Sequence, residues 1–118
     1  MDTYVITNLI VDGYERFVEL KISEHKNIMV HFLEYDEYLN HSEISKKRKK
    51  GDVLSGDISI ELVCNVVKVS NELQHYQKID KSSHIEAVID VVELLDDYSI
   101  YAKTSIVDEN ILVEFEKN

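Results

Sequence analysis

Alternation with a period of two runs through most of this 118-residue chain, and no proline interrupts it. Successive side chains of a strand point to opposite faces, so such alternation marks strands with one buried face. The clearest case is "DISIELVC" (57–64), where Ile58, Ile60, Leu62 and Cys64 alternate with Asp57, Ser59, Glu61 and Val63. The first third reads the same way. "TYVITNLIVD" (3–12) ends at the turn signal Asp12-Gly13, and "RFVELKIS" (16–23) sets Val18, Leu20 and Ile22 on one face. After the short polar link "EHKN" (24–27), "IMVHF" (28–32) places Ile28, Val30 and Phe32 together. Links this short join antiparallel strands, so the three form a meander.

The remaining segments are less uniform. "LEYDEYLNHSEIS" (33–45) has no clean alternation, and Tyr35, Tyr38 and Leu39 fit either a loop or one amphipathic helical turn. "NVVKV" (65–69) can extend the strand before it, and "SNELQHYQKIDKSS" (70–83) reads as a long polar loop. "HIEAVIDVVELL" (84–95) fits a helical stripe through Ile85, Val88, Ile89 and Val92, or a strand through Ile85, Ala87, Ile89 and Val91. Its β-branched content favours strand. Asp96-Asp97 is a turn signal, and "YSIYAKT" (98–104) and "NILVEFE" (110–116) alternate again. The expectation is a mainly β protein: a single small antiparallel barrel of six or seven strands with at most one short helix. At this length a closed or partly closed barrel buries one face and limits exposed edges. One domain is expected over 1–118.

Two segments carry a family resemblance. "GDVLSGDISIELV" (51–63) resembles the lead-in to a strand of OB-fold and S1-like barrels, through Gly51, Asp52, Val53, Gly56 and Ile58. "IEAVIDVVELLDDYSIYAKTS" (85–105) looks like the strand–turn–strand of such barrels. The resemblance implies architecture and invites a nucleic-acid-binding role, but fold alone does not assign function. Gly51 and Gly56 also have a local reading, as turn residues or a bulge at a strand start.

Charge is unevenly placed. Lys46, Lys47, Arg48, Lys49 and Lys50 form a basic run in a chain of net charge −10, which leaves −15 on the rest of the molecule. Such a surface repels phosphate backbones and steers basic partners. A single-strand binder needs a positive groove with aromatic platforms. Here the outward residues Asp57, Ser59 and Glu61 oppose that, and no aromatic interrupts the basic run. The run therefore reads as a solvated loop, and it is the candidate nucleic-acid site only under an alternative, OB-like nucleoprotein reading.

Other chemistry has little to stand on. No metal site is expected, since His25, His31, His41, His75 and His84 show no ligand spacing and Cys64 is the single cysteine. That cysteine, in an apolar strand pattern, is expected as a small buried hydrophobe in a reduced, cytoplasmic protein. No signal segment or apolar run of membrane-spanning length is visible. No phosphate loop, nucleophile elbow or zinc-protease motif is present, so no catalytic residue or cofactor is assigned and the chain is expected not to be an enzyme.

"HFLEYDEYLNHSE" (31–43) is the most suggestive segment for binding. Glu34, Tyr35, Asp36, Glu37, Tyr38 and Glu43 combine stiff aromatic area with steering acids, as a basic protein partner requires. Size, acidity and the lack of catalytic motifs resemble bacterial immunity proteins, which imply occlusion of a cognate, often basic, toxin. A small-ligand-binding barrel is a further alternative. The oligomeric state is open.

Overall fold

The computed structural model describes residues 2–117, and the protein is mainly β, with no helix among them. Strand β1 (Asp2–Asp12) turns at Gly13 into β2 (Glu15–Ser23), which turns at Glu24-His25 into β3 (Lys26–Leu33). Gly13 has φ of 61° while Tyr14 after it does not leave the negative half. A positive φ at the first of two loop residues is the type II′ signature, whose twist matches the flanking strands. The meander expected from the sequence is therefore present, and β4 (Val53–Gly56) joins it on the far side of β1.

Register explains the core of this sheet. Ile6 lies opposite Leu20, and Leu20 opposite Ile28, so one apolar row crosses three strands. All three are buried, together with Tyr4 and Val18. Ile22, Val30 and Phe32 share the expected face but are half-buried: Ile22 sits at a register shift near the end of β2, and Val30 and Phe32 lie on the edge strand β3. Each fully buried aliphatic side chain contributes about 1.5–3 kcal/mol.

The second four-stranded sheet has the order β5 (Ser59–Val63), β10 (Ile111–Phe115), β9 (Ser99–Lys103), β8 (Asp90–Asp96). Its core holds Ile100, Ala102, Ile111 and Val113, with Ile106 and Val107 from the following loop. The buried Thr104 hydroxyl accepts the Ile106 N–H at 3.0 Å, which satisfies a polar pair inside that loop. A two-stranded ladder, β6 (Gln74–Tyr76) with antiparallel β7 (Glu86–Val88), brings the strands among the described residues to ten. The chain divides into two compact units: residues 2–55 with 78–84, and 56–77 with 85–117.

The structure corrects several expectations. There is no single closed barrel of six or seven strands. One sheet curls as an open half-barrel, and both larger sheets end in edge strands, β3 and β4 in one, β5 and β8 in the other. Nor is the pairing wholly antiparallel, because β10 runs parallel to β5. The alternation of 57–64 also overstates its strand. Leu62 and Asn65 adopt left-handed backbone, at φ of 55° and 56°. That kink turns Leu62 outward, 74% exposed, ends the pairing at Val63, and leaves 65–69 outside any strand. Cys64, expected to be buried, is exposed for the same reason. The segment 84–95 holds strand rather than helix: it is extended over Glu86–Val88 and again from Asp90, with Ile89 dividing β7 from β8.

Leu20→Ala is expected to lower stability by about 2–5 kcal/mol in urea unfolding, because it opens a cavity in the buried row. Leu62→Gly removes a left-handed non-glycine residue with an exposed side chain, and is expected to be neutral or to gain up to about 1 kcal/mol.

Candidate functional site

Beyond β3 the chain leaves the sheet and returns only at β4, and the residues singled out for binding lie in this segment. Its start is fixed by a buried cation. Arg16 is buried at the head of β2, and its guanidinium donates to Gly13 O at 2.7 Å and Glu15 O at 2.9 Å. Its Nε faces the Glu34 carboxylate at 3.3 Å. The other Glu34 oxygen accepts the Arg48 N–H at 3.0 Å, and the Glu34 N–H donates to Tyr14 O at 2.8 Å. Glu34 therefore ties the β1–β2 turn to both ends of the segment.

Glu37 makes a second tie. The Ser45 hydroxyl donates to one of its oxygens, and the Lys46 N–H donates to the other at 2.9 Å. These hydrogen bonds, the Ser45 hydroxyl foremost and then the Lys46 amide, hold the Glu37 carboxyl below its ordinary value, with help from the Lys47 and Lys46 charges. The result is a closed neck at 37 and 45–46 from which residues 38–44 project, the form of a compact surface loop. Inside it, the Asn40 carbonyl accepts the Glu43 N–H at 2.9 Å, and the Glu43 carboxylate accepts the Asn40 N–H at 3.3 Å.

The basic run is solvated, as expected, but it is also fastened. Lys46, Arg48 and Lys49 give their backbone N–H groups to Glu37, Glu34 and Asp52 in turn. Lys47 reaches Asp36 at 3.9 Å. Lys46, Arg48, Lys49 and Lys50 keep exposed side chains. Carboxylates thus neutralise part of the run and set its path, which is how five like charges coexist here.

The six acid and tyrosine positions therefore separate by role. Glu34 and Glu37 face inward to the chain's own amides and position the loop. Glu43 closes a local turn, and Asp36 is exposed beside Lys47. Tyr35 and Tyr38 are open, Tyr38 being 96% exposed. Three further apolar residues that sequence reasoning had not assigned to the site join them: Tyr14, Leu33 and Ile44, the last 82% exposed. The Tyr14 and Tyr35 rings pack at 5.2 Å between centroids and 56°. Glu15 pairs with Leu33, so the hairpin turn necessarily abuts the start of the segment. Drawing that register from the alternation would have found Tyr14.

The five histidines form no metal centre: no group of three or more His, Cys, Asp or Glu is placed to hold an ion among the described residues. His31 lies 3.4 Å from Glu15 and packs on Phe17, and His75 Nδ1 lies 2.6 Å from Ser105 Oγ, tying β6 to the loop after β9. No helix among the described residues is long and apolar enough to cross a membrane. No protein family, curated protein or solved structure gives a match to the chain.

The neck carries a pH dependence. Glu37 has a lowered pKa in the folded state, so its stabilising hydrogen bonds are complete above its ordinary value near 4.5 and are lost as pH falls through the lower, folded value. Protection of the Lys46 amide, its exchange relative to the intrinsic rate at the same pH, is therefore expected to fall below that range and to be low already at neutral pH in Glu37→Gln. Exchange unchanged in the variant would show that the neck does not depend on the carboxylate.

Proposed function

We propose that this chain is a non-enzymatic protein-binding module whose anchor is the aromatic loop 33–44 with Tyr14. The observation that carries the reading is the pairing of near-total exposure at Tyr38 and Ile44 with a neck fastened through Glu37. Large apolar side chains held in a fixed loop lose little freedom on association, which favours tight binding. Tyrosine is also enriched among residues that dominate interface energy. The charge of −15 outside the basic run favours a basic partner and accelerates its encounter. Within this class, the acidity and size fit an immunity protein that neutralises a basic toxin by occlusion, in a bacterial cytoplasm.

The roles of the site residues follow from this reading. Tyr35, Tyr38, Tyr14 and Ile44 supply contact area, and Asp36 and Glu43 supply charge at its rim. Glu34 and Glu37 act through the backbone, as positioning residues. The competing reading, an OB-like nucleic-acid module, draws support from the exposed side chains of Lys46, Arg48, Lys49 and Lys50 on a fixed backbone. The adjacent carboxylates weaken it.

Affinity capture from the source organism, followed by titration of the captured protein, tests the assignment. Tyr38→Ala is expected to weaken binding by about 2 kcal/mol or more, mostly through faster dissociation. Added salt is expected to slow association. An unchanged affinity in the Tyr35→Ala, Tyr38→Ala double variant would remove the site. Binding of single-stranded oligonucleotides at low salt, with steep loss on salt addition, would favour the competing reading.

A further inference from the structure

The outer edge of β8 is an unusual surface. All seven residues of the strand, Asp90 to Asp96, are exposed, and β9 is its neighbour on one side alone. Yet its apolar residues continue the core rows of the sheet. Ile60 lies opposite Val113, Val113 opposite Ile100, and Ile100 opposite Leu94. Likewise Ile111 lies opposite Ala102, and Ala102 opposite Val91. Ile100, Ala102, Ile111 and Val113 are buried, whereas Leu94 is 76% and Val91 58% exposed. The apolar face reaches the sheet edge and is uncovered there, with Val92 and Leu95 also exposed. Exposed apolar surface that is continuous with a core marks an interaction site.

We propose that β8 takes up an extended strand from another protein, alternating apolar and basic residues, by edge-to-edge pairing. Such pairing draws affinity from main-chain hydrogen bonds and specificity from alternate side chains. The chemistry of the occupant is set by what β8 already accepts on its other side. There, regular five-residue β9 offers Ala102 and Ile100 to Val91 and Leu94. It offers Lys103 to Asp90, Tyr101 to Glu93 and Ser99 to Asp96. An outer strand meets the same β8 residues, so apolar groups suit Val91 and Leu94, and positive groups suit Asp90 and Glu93. Asp96 is already engaged, because its carboxylate accepts the Tyr98 N–H at 2.8 Å in the following turn. Residues 84–97 hold five acids and no lysine or arginine, which extends the same preference.

Charge also opposes a second copy of this chain as the occupant. The strand reads nearly the same in both directions, Asp-Val-Val-Glu-Leu-Leu-Asp, so the symmetric dimer is antiparallel self-pairing centred on Glu93, although β8 carries register shifts between Val91 and Glu93 and between Leu94 and Asp96. It would set Glu93 against Glu93 and Asp90 against Asp96. Like charges directly opposed are destabilising, and acids on an open edge are a known defence against self-association. A basic strand reverses that term. This surface belongs to the unit of residues 56–77 and 85–117, and the inference does not rest on the loop 33–44.

The probe is a fluorescein-labelled five-residue peptide of alternating lysine and valine, titrated into the full chain by anisotropy. It is expected to bind, to protect β8 amides from hydrogen exchange, and to fail when its backbone is N-methylated on alternate residues. A glutamate–valine peptide is expected not to bind. Glu93→Lys should weaken the lysine peptide by about tenfold and admit the glutamate peptide. Leu94→Ser should weaken both, and Tyr38→Ala should change neither. Equal binding of a peptide with its lysines in one block, no binding of the alternating peptide, or a β8-dependent dimer in sedimentation velocity would each overturn the proposal.

Discussion

A guanidinium withdrawn from water must find acceptors for its donors, and Arg16 finds them in three places at once. Two backbone carbonyls of the β1–β2 turn and the Glu34 carboxylate surround it. The pair lies at the turn end of β2, with the Glu34 side chain 16% exposed, and the carboxylate retains a second oxygen for the Arg48 amide. One buried cation thereby fixes the turn, the exit from β3 and the return of the basic run. Breaking such a pair leaves an uncompensated charge, which costs far more than the pair itself gains over a neutral alternative. The irregular segment between β3 and β4 has no ladder of its own, and this pair with the Glu37 neck takes its place.

The same chemistry serves two purposes in this molecule. Glu34, Glu37 and Asp52 accept backbone amides and act as local structure, much as a cap serves a helix end. Asp36, Asp90 and Glu93 remain exposed, and their charge is open to solvent. Counting acids therefore overstates the steering charge near the loop, where tethered carboxylates face lysine and arginine amides. Along β8 it overstates it only at Asp96, which accepts the Tyr98 amide; lysine and arginine are absent from the strand and one lysine, Lys103, lies opposite.

Much of the meander was legible because its signals are local. Alternation gives the faces of β2 and β3, and Gly13 gives the turn, so Val18, Leu20 and Ile28 could be assigned to the core from the sequence. Other features lacked a local signal. Leu62 carries no mark of left-handed backbone, Asn65 favours it by type but follows an apolar pattern, and ideal alternation across 57–64 hid the kink that exposes Cys64. The parallel partner of β5 lies some fifty residues onward in β10, and pairing at that distance depends on chain topology rather than pattern. The short strand Gln74–Tyr76 was concealed in a polar segment because its pairing with β7 needs few apolar residues. Of the candidate site, the tyrosines were visible by type. The division of the acids into tethers and free charges was not, since a hydrogen-bond partner eight, nine or fourteen residues away leaves no trace in spacing.

An acidic chain with uncovered apolar surface faces a choice between associating with itself and binding something else. Specificity is a difference of affinities, and repulsion of the wrong partner contributes as much as attraction of the right one. On β8 the apolar residues would reward any added strand, and the acids then decide among candidates. Two copies meet with carboxylates opposed, while a basic strand meets them in complement. At the aromatic loop the logic is the same with other groups: Tyr35 and Tyr38 offer area to any partner, and net negative charge across the rest of the chain discriminates between an identical copy and a basic protein. On the two proposed readings, charge sets the partner class at both surfaces, and apolar area sets how firmly that partner is held.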